Sequence, residues 1–573
     1  MAAGLTRWSA SGCGYMGGRL FSTQKALFNW PAVLLAAVIA VPSLGVVWSA
    51  AAAALHTDAW SALWHDPQLP PALMMTLWTG LAATALAVGL TALLLSLSFP
   101  GARWERMTKA LAPMLAVPHA AFAIGLAFLI APSGWLLRAL SPWATGFDAP
   151  PAWATTQDPW GLGLIAVLVA KEVPFLLWAA ATQLRRADTA ARWSRELDVA
   201  TSMGYAPRTA WWRIVWPQLW PQLGGPLLAV LAYSLTVVDM ALVIGPTTPP
   251  TLAVLAWQWL LDADAAINAQ GAVAAWLLAL VVAALAGALW AVPGLLRWRS
   301  RWTSGRRGNS SQALPQSVLV TLVALPVIYL AVMLALAVGS VSGVWPFPRL
   351  LPSNFSWQGW QSVAASAQTV WTTCALALIS SITALAWSVA WLEYAPAQLD
   401  AQLRRLIYLP LLLPSVLWVV GLHRLALAWG IDGQWSGLWL AHSLAATPYV
   451  LIALSPAYLN FDTRYAAIAA SLQKSRWQFL TRIKWPLLKA SLSAALAVGF
   501  AVSVAQYLPT LFVGAGRFAT VTTEAVTLAS GAQRSLTAAY AWLQWLLPAL
   551  MFGAAAWVGR PRHFAGLTTR APA

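Results

Sequence analysis

The chain has 573 residues, 60% of them hydrophobic and only 9% charged, with 34 Lys and Arg against 17 Asp and Glu and a mean hydropathy of +0.67. Soluble domains carry about a quarter charged residues, so a soluble fold is excluded and the chain reads as an all-α polytopic membrane protein. The net charge of +17 invites a nucleic-acid partner, but the placement of the basic residues, described below, excludes that reading.

A helix needs about 20 apolar residues to cross about 30 Å of hydrocarbon. Apolar runs of that length predict twelve spans in chain order. Six fall near 28–50, 73–99, 111–131, 160–182, 224–245 and 271–296. Residues 297–315, rich in Arg, Ser and Gly, read as a cytoplasmic linker. Six more spans follow near 316–338, 367–391, 405–429, 437–459, 491–514 and 536–558, leaving residues 1–27 and 559–573 as cytoplasmic ends. The run at 33–54 resembles a signal peptide but is long for one, and six-plus-six symmetry makes it an uncleaved first span. Pro118 and Pro414 fall in the third and ninth spans and are expected to kink them. The 38 Trp suit residence at the headgroup level.

With the N-terminus cytoplasmic, Arg138, Arg349, Arg424, Arg517 and Arg534 fall outside and Lys171 lies within a span. The other 28 Lys and Arg then fall on the cytoplasmic side, as the positive-inside rule requires. Cys13 and Cys374 are far apart and make no metal or disulfide pattern. The six His show no ligand spacing, and no Ser, His and Asp arrangement suggests catalysis. No metal or cofactor is assigned.

In each half the longest cytoplasmic loop joins the fourth and fifth spans, at about 183–223 and 460–490. In the first loop a helix carrying Asp198 near its start should run to Gly204, which supplies a left-handed stop. Pro207 suits the first turn of a second, short helix that should end before Pro217. Ser475 is the expected N-cap of the equivalent helix in the second loop. Arg213-Ile214-Val215-Trp216-Pro217-Gln218-Leu219 returns 269 residues later as Arg482-Ile483-Lys484-Trp485-Pro486-Leu487-Leu488. At the same offset Ala200 pairs with Ala469, Ser202 with Ser471, Gly245 with Gly514, Thr251 with Thr520, and Trp276-Leu277-Leu278 with Trp545-Leu546-Leu547. The chain therefore reads as a tandem duplication.

The stretch Asp198 to Pro217 resembles the cytoplasmic loop of permeases in bacterial ATP-driven (ABC) importers. That loop has an acid and two alanines, then Gly, Ile ten residues on, and Pro three further. Asp198 stands for the acid, and Ala200, Gly204, Ile214 and Pro217 match. The second copy keeps Ala469, Ile483 and Pro486, while Ala467 replaces the acid and Gln473 the Gly. Two fused permease domains resemble the ferric-iron and thiamine type of importer, along with a further group of fused permeases of the same layout. The resemblance implies two tandem six-helix repeats of the type I (MetI-like) importer fold in a bacterial inner membrane. It also implies that each short helix docks in a groove on a separate ATP-binding cassette ATPase, present as a pair, whose closure rocks the halves between inward and outward openings. An extracytoplasmic solute-binding protein would then set most of the specificity, with no nucleic-acid partner. No G-x-x-x-x-G-K-[ST] phosphate loop occurs, so ATP hydrolysis is expected on another polypeptide.

Lys171 and Glu172 near the middle of the fourth span, and Asp239 in the fifth, are candidates for the transport path, since a charge at membrane depth needs a partner or a wet cavity. Gln506 and Tyr507 are the polar positions of the eleventh span. Pairing between helices explains all five equally well. A secondary carrier of the 6+6 parallel type, or a channel or scaffold without energy coupling, are the other readings of the same twelve spans.

Overall fold

The structure is a computed structural model and describes residues 30–184, 187–295, 316–395, 397–531 and 533–560. The expected segment 1–27, the linker 297–315, Cys13 and nearly all of the tail 559–573 lie outside the described residues. Among the described residues the backbone is helical, with one isolated bridge between Ser342 and Phe355.

The first half opens with α1 (Trp30–Ala53), which meets the short α2 (Thr57–His65) at a bend of 63°. Helix α3 (Leu69–Ser98) takes two prolines in its first turn, where a missing N–H costs nothing, and stops before Pro100, whose ring drives Phe99 into an extended conformation. The third expected span is broken, not kinked. It is divided into α4 (Ala102–Ala116) and α5 (His119–Ile130), because Val117 and Pro118 are both extended. After α6 (Trp135–Leu140) comes α7 (Leu162–Leu184), whose first turn is capped by the Asp158 carboxylate, accepting from the N–H groups of Leu162 at 2.7 Å and Gly163 at 2.9 Å. Beyond it lie α8 (Ala187–Ser202) and a run of short helical pieces, α9 (Pro207–Ala210) and α10 (Trp216–Leu219) among them. The fifth expected span is divided into α11 (Gly224–Thr236) and α12 (Asp239–Ile244), followed by α13 (Leu252–Leu260) and α14 (Ala265–Leu295).

The second half begins with α15 (Gln316–Ser340), α16 (Gln358–Ala365) and α17 (Ala367–Tyr394). The ninth span is again interrupted before its proline, with α18 (Ala397–Ile407) and α19 (Leu409–Leu412) preceding α20 (Ser415–Trp429). Then come α21 (Trp435–Leu459), α22 (Arg464–Ser471), α23 (Arg476–Phe479) and α24 (Trp485–Leu487). The chain turns by 78° into α25 (Lys489–Val504), which breaks before α26 (Leu508–Val513), and ends with α27 (Val521–Ala529) and α28 (Arg534–Gly559).

Twelve spans were expected, the third and ninth kinked. Among the described residues eight helices are long and apolar enough to cross, or ten if each of two bent pairs is one span. The difference is made by the broken helices, since α11 with α12 and α20 each fall short of a full crossing. Helices α13 and α27 were not expected at all, because nine residues are too few to read as a span. They occupy the same register, 269 residues apart. Each is held at its start by a threonine from a neighbouring long helix: Thr76 Oγ1 accepts from the Leu252 N–H at 2.7 Å, and Thr373 Oγ1 from the Val521 N–H at 2.9 Å.

The first helix of each half reaches across to the other half. Helix α1 packs on α20, α17 and α18, while α15 packs on α5 and α28. Gly125 and Gly421, each seven residues past the helix-breaking proline, make these crossings possible. A methyl group at Gly125 would lie 2.6 Å from Val332 Cγ1, and one at Gly421 would overlap the Val46 carbonyl. One buried apolar cluster therefore takes residues from both halves, including Phe122, Val238, Val332 and Val416.

Candidate functional site

The two motif loops share a backbone fold. Helix α8 ends at Ser202 and Gly204 takes φ +84°; α22 ends at Ser471 and Gln473 takes φ +53°. In both, the next N–H closes the helix with a long-reaching bond: Tyr205 N–H to Ala200 O at 3.0 Å, and Lys474 N–H to Ala469 O at 3.0 Å. The paired bonds Gly204 N–H to Thr201 O and Gln473 N–H to Ala470 O complete a Schellman stop in each loop. The elbow thus survives in the second copy although Gln must hold a conformation that suits Gly. Pro207 enters the next helix at its first turn, and Ser475 caps its counterpart in a capping box with Gln478.

The short helix does not stop before Pro217. Helical backbone continues through Pro217, and likewise through Pro486. Just ahead of each proline the helix widens into a π-turn, Trp211–Val215 and Leu480–Lys484, in the same register. The N–H of Trp216 reaches back to Trp211 O, and that of Trp485 to Leu480 O. A proline ring would press on the carbonyl four residues back, and the widened turn relieves that pressure without breaking the rod. Asp198 also sits elsewhere than expected. Helix α8 begins at Ala187, so Asp198 lies near its C-terminal end, exposed, where the helix dipole disfavours an acid.

Small residues hold each motif helix against the next. Ala200 packs beside Trp193, Trp211 and Val215, and Ala469 beside Phe479 and Leu480, with Ile214 and Ile483 half-buried at the edge of the same clusters. In the first loop Gln218 ties the pieces together: its Nε2 donates to Glu196 Oε2 at 2.8 Å and its Oε1 accepts from Trp193 Nε1 at 3.0 Å. The opposite face is bare. Val199 and Met203 are 58% and 57% exposed, and their counterparts 269 residues on, Ile468 and Leu472, are 57% and 63% exposed. Pro217 and Pro486 are exposed as well.

At membrane depth the candidate residues divide into two groups. Lys171, 3% exposed, donates at 2.6 Å to the carbonyl of Val117, which the break after α4 has freed, and at 3.5 Å to that of Met114, which also accepts from the Val117 N–H. Its charge caps the C-terminus of a broken helix, as the dipole favours. Glu172 is 5% exposed and makes no hydrogen bond among the described residues. With Asp239 it lies within electrostatic range of Tyr233, and Asp239 also reaches Tyr507. Tyr233 packs on His119, ring centroids 4.9 Å apart. Asp239 and Tyr507 stand at the breaks that precede α12 and α26, and Ser415, at the start of α20, donates to Thr236 O at 3.5 Å across the halves. Gln506 does not join them. Its amide turns back to Val502 O at 3.2 Å.

Sequence reasoning passed over His442. Its ring joins Ser503 at 2.8 Å through Nδ1 and Thr510 at 3.0 Å through Nε2, bridging the two pieces of the eleventh span. Thr510 donates its own proton to Gln506 O at 2.9 Å, so Nε2 carries the ring proton and Nδ1 accepts from Ser503. No spacing in the sequence announces this role, because the partners stand 61 and 68 residues away.

The chain is 35% identical over 544 residues to the inner membrane ABC transporter permease protein YnjC of Escherichia coli (strain K12), an alignment that covers 92% of this chain and 96% of that protein. No protein-family model matches the chain.

Proposed function

The chain belongs to the ABC transporter permease family, and on that premise we propose that it is the membrane subunit of an ATP-driven importer with both permease domains in one polypeptide. The observation that carries this reading is the repeated bare face. Large apolar side chains stand exposed at matching positions beside two matching elbows, on segments that already bury their other side. Exposed apolar patches on an otherwise satisfied surface mark a docking site. Two such patches of like geometry suit two copies of one partner, an ATP-binding cassette ATPase. The residues assigned to this coupling are Asp198, Ala200, Gly204, Ile214 and Pro217, with Ala469, Ile483 and Pro486 in the second loop.

Each motif helix acts as a lever with a Schellman elbow at one end and a π-turn ahead of its proline at the other. Movement of the ATPases on ATP binding would shift both levers and rock the halves about the core where the broken helices meet. Discontinuous helices near the midplane place freed backbone groups around a substrate. Glu172, Asp239 and Tyr507 are the proposed path residues, and Lys171 is assigned to holding the break open. Delivery by an extracytoplasmic binding protein, and a bacterial inner-membrane location with both motif loops cytoplasmic, complete the proposal.

The test is purification from native membranes, followed by cross-linking from Val199→Cys and Ile468→Cys in a chain with Cys13 and Cys374 replaced by Ser. An ATPase subunit should copurify and cross-link at both positions. Absence of any ATPase, or cross-links only to lipid, would leave a secondary carrier or an uncoupled channel as the better description.

A further inference from the structure

The two loops are fastened to the membrane domain by different chemistry. The first is braced within itself, through Gln218, Trp193 and Glu196. The second is fastened to the spans by one carboxylate. Glu393, at the end of α17, accepts from Lys484 Nζ at 2.5 Å and from Tyr458 OH, at the end of α21, at 2.7 Å through Oε1. Through Oε2 it accepts from Arg476 at 3.1 Å, and Arg476 also donates to the Glu393 backbone carbonyl at 2.7 Å. Trp485 Nε1 adds a bond to the Tyr458 hydroxyl at 3.1 Å. The Lys484 ammonium lies 3.8 Å from the centre of the Tyr458 ring. Side-chain exposure is 10% for Glu393 and 14% for Lys484, so the pair is shielded from the screening that makes surface ion pairs weak.

Arg476 opens the lever and Lys484 closes its π-turn. A single acid therefore grips both ends of the second motif helix and the cytoplasmic ends of two long spans. The first copy has no such grip, since Pro207 and the buried Val215 stand where Arg476 and Lys484 stand in the second. We propose that Glu393 is the positioning residue through which the second motif helix moves α17 and α21. This inference rests on the coupling reading above. It accounts for a second loop that carries Leu487 and Tyr465 where the first carries Gln218 and Glu196, because an ion-paired clamp replaces the in-loop brace.

The test uses the full chain with its ATPase subunit, purified from native membranes and reconstituted in liposomes, with spin labels at Ala152→Cys and Leu351→Cys on the opposite face and Cys13 and Cys374 replaced by Ser. ATP with vanadate should shift the label separation in the parent protein. Glu393→Gln and Lys484→Met should each keep the ATPase bound, yet lower the fraction of molecules that shift by about tenfold. The double variant should be no worse than either single one, as expected of partners in one interaction. Glu393→Gln that shifts as the parent does, or single effects that add in full, would overturn the proposal. So would a fall in melting temperature with the label shift intact, the mark of a merely structural pair. A parent protein with no bound ATPase would instead remove the coupling reading itself.

Discussion

The elbows offer a paired perturbation whose effects have opposite signs. Gly204 sits at φ +84° and Gln473 at φ +53°, inside the same hydrogen-bonded stop. A side chain in the left-handed region costs about 1–2 kcal/mol through its clash with the following carbonyl. A β-branched residue is stiffer still, and a strained position of this kind reaches about 3 kcal/mol. Replacing Gly also restricts the open chain, which returns about 0.4–1 kcal/mol. Gly204→Val should therefore destabilise the elbow by about 2 kcal/mol, and Gln473→Gly should stabilise its counterpart by about 0.5–1 kcal/mol. Global unfolding of a chain this size is not two-state, so the measurement must be local. Hydrogen exchange of the Tyr205 N–H, bonded to Ala200 O, should accelerate by about 30-fold in Gly204→Val. Exchange of the Lys474 N–H, bonded to Ala469 O, should slow by about two- to fivefold in Gln473→Gly. Unchanged exchange at Tyr205, or faster exchange at Lys474, would show that the elbows are not held by the left-handed residue, and the lever argument would fall with them.

Four further outcomes follow from other parts of the molecule. In a chain with Cys13 and Cys374 replaced by Ser, a membrane-impermeant thiol reagent applied to intact cells should label Ala152→Cys but neither Ser202→Cys nor Ser471→Cys, and labelling of either motif loop would reverse the orientation. Lys171→Met strands the Val117 carbonyl and should lower stability by about 1–3 kcal/mol in a detergent melt. Asp239→Asn keeps an oxygen for the Met240 N–H and should melt as the parent does while transport or ATP hydrolysis changes; equal loss of stability in both variants would remove Asp239 from the path. His442→Leu leaves Ser503 and Thr510 without their shared partner and should cost about 1–3 kcal/mol, with His442→Gln recovering part of it; a neutral His442→Leu would mean that the broken span needs no bridge.

The all-helical membrane class was legible in the sequence, since apolar runs of span length have no other stable use. The elbows were legible too, because left-handed stops and N-caps are chosen by one or two local residues: Gly204, Pro207 and Ser475 act as their chemistry dictates. Pro118 and Pro414 were legible as irregularities, but whether a proline kinks a helix or ends it depends on what satisfies the freed carbonyls. Lys171 does so for Val117 from 54 residues away. Pro217 shows the converse, for a π-turn packed against α8 lets the helix pass through a residue that usually stops it. Asp239, Glu172 and Tyr507 were picked out singly as polar residues in apolar runs. The bridge at His442 and the clamp at Glu393 arise only when helices distant in sequence are packed side by side. The crossing of α1 and α15 to helices of the other half belongs to the same class. Local rules set which segments are helical and where they turn. Which helices touch is decided by close packing at contacts such as Gly125 on α15 and Gly421 on α1, and no single stretch of sequence contains both sides of such a contact.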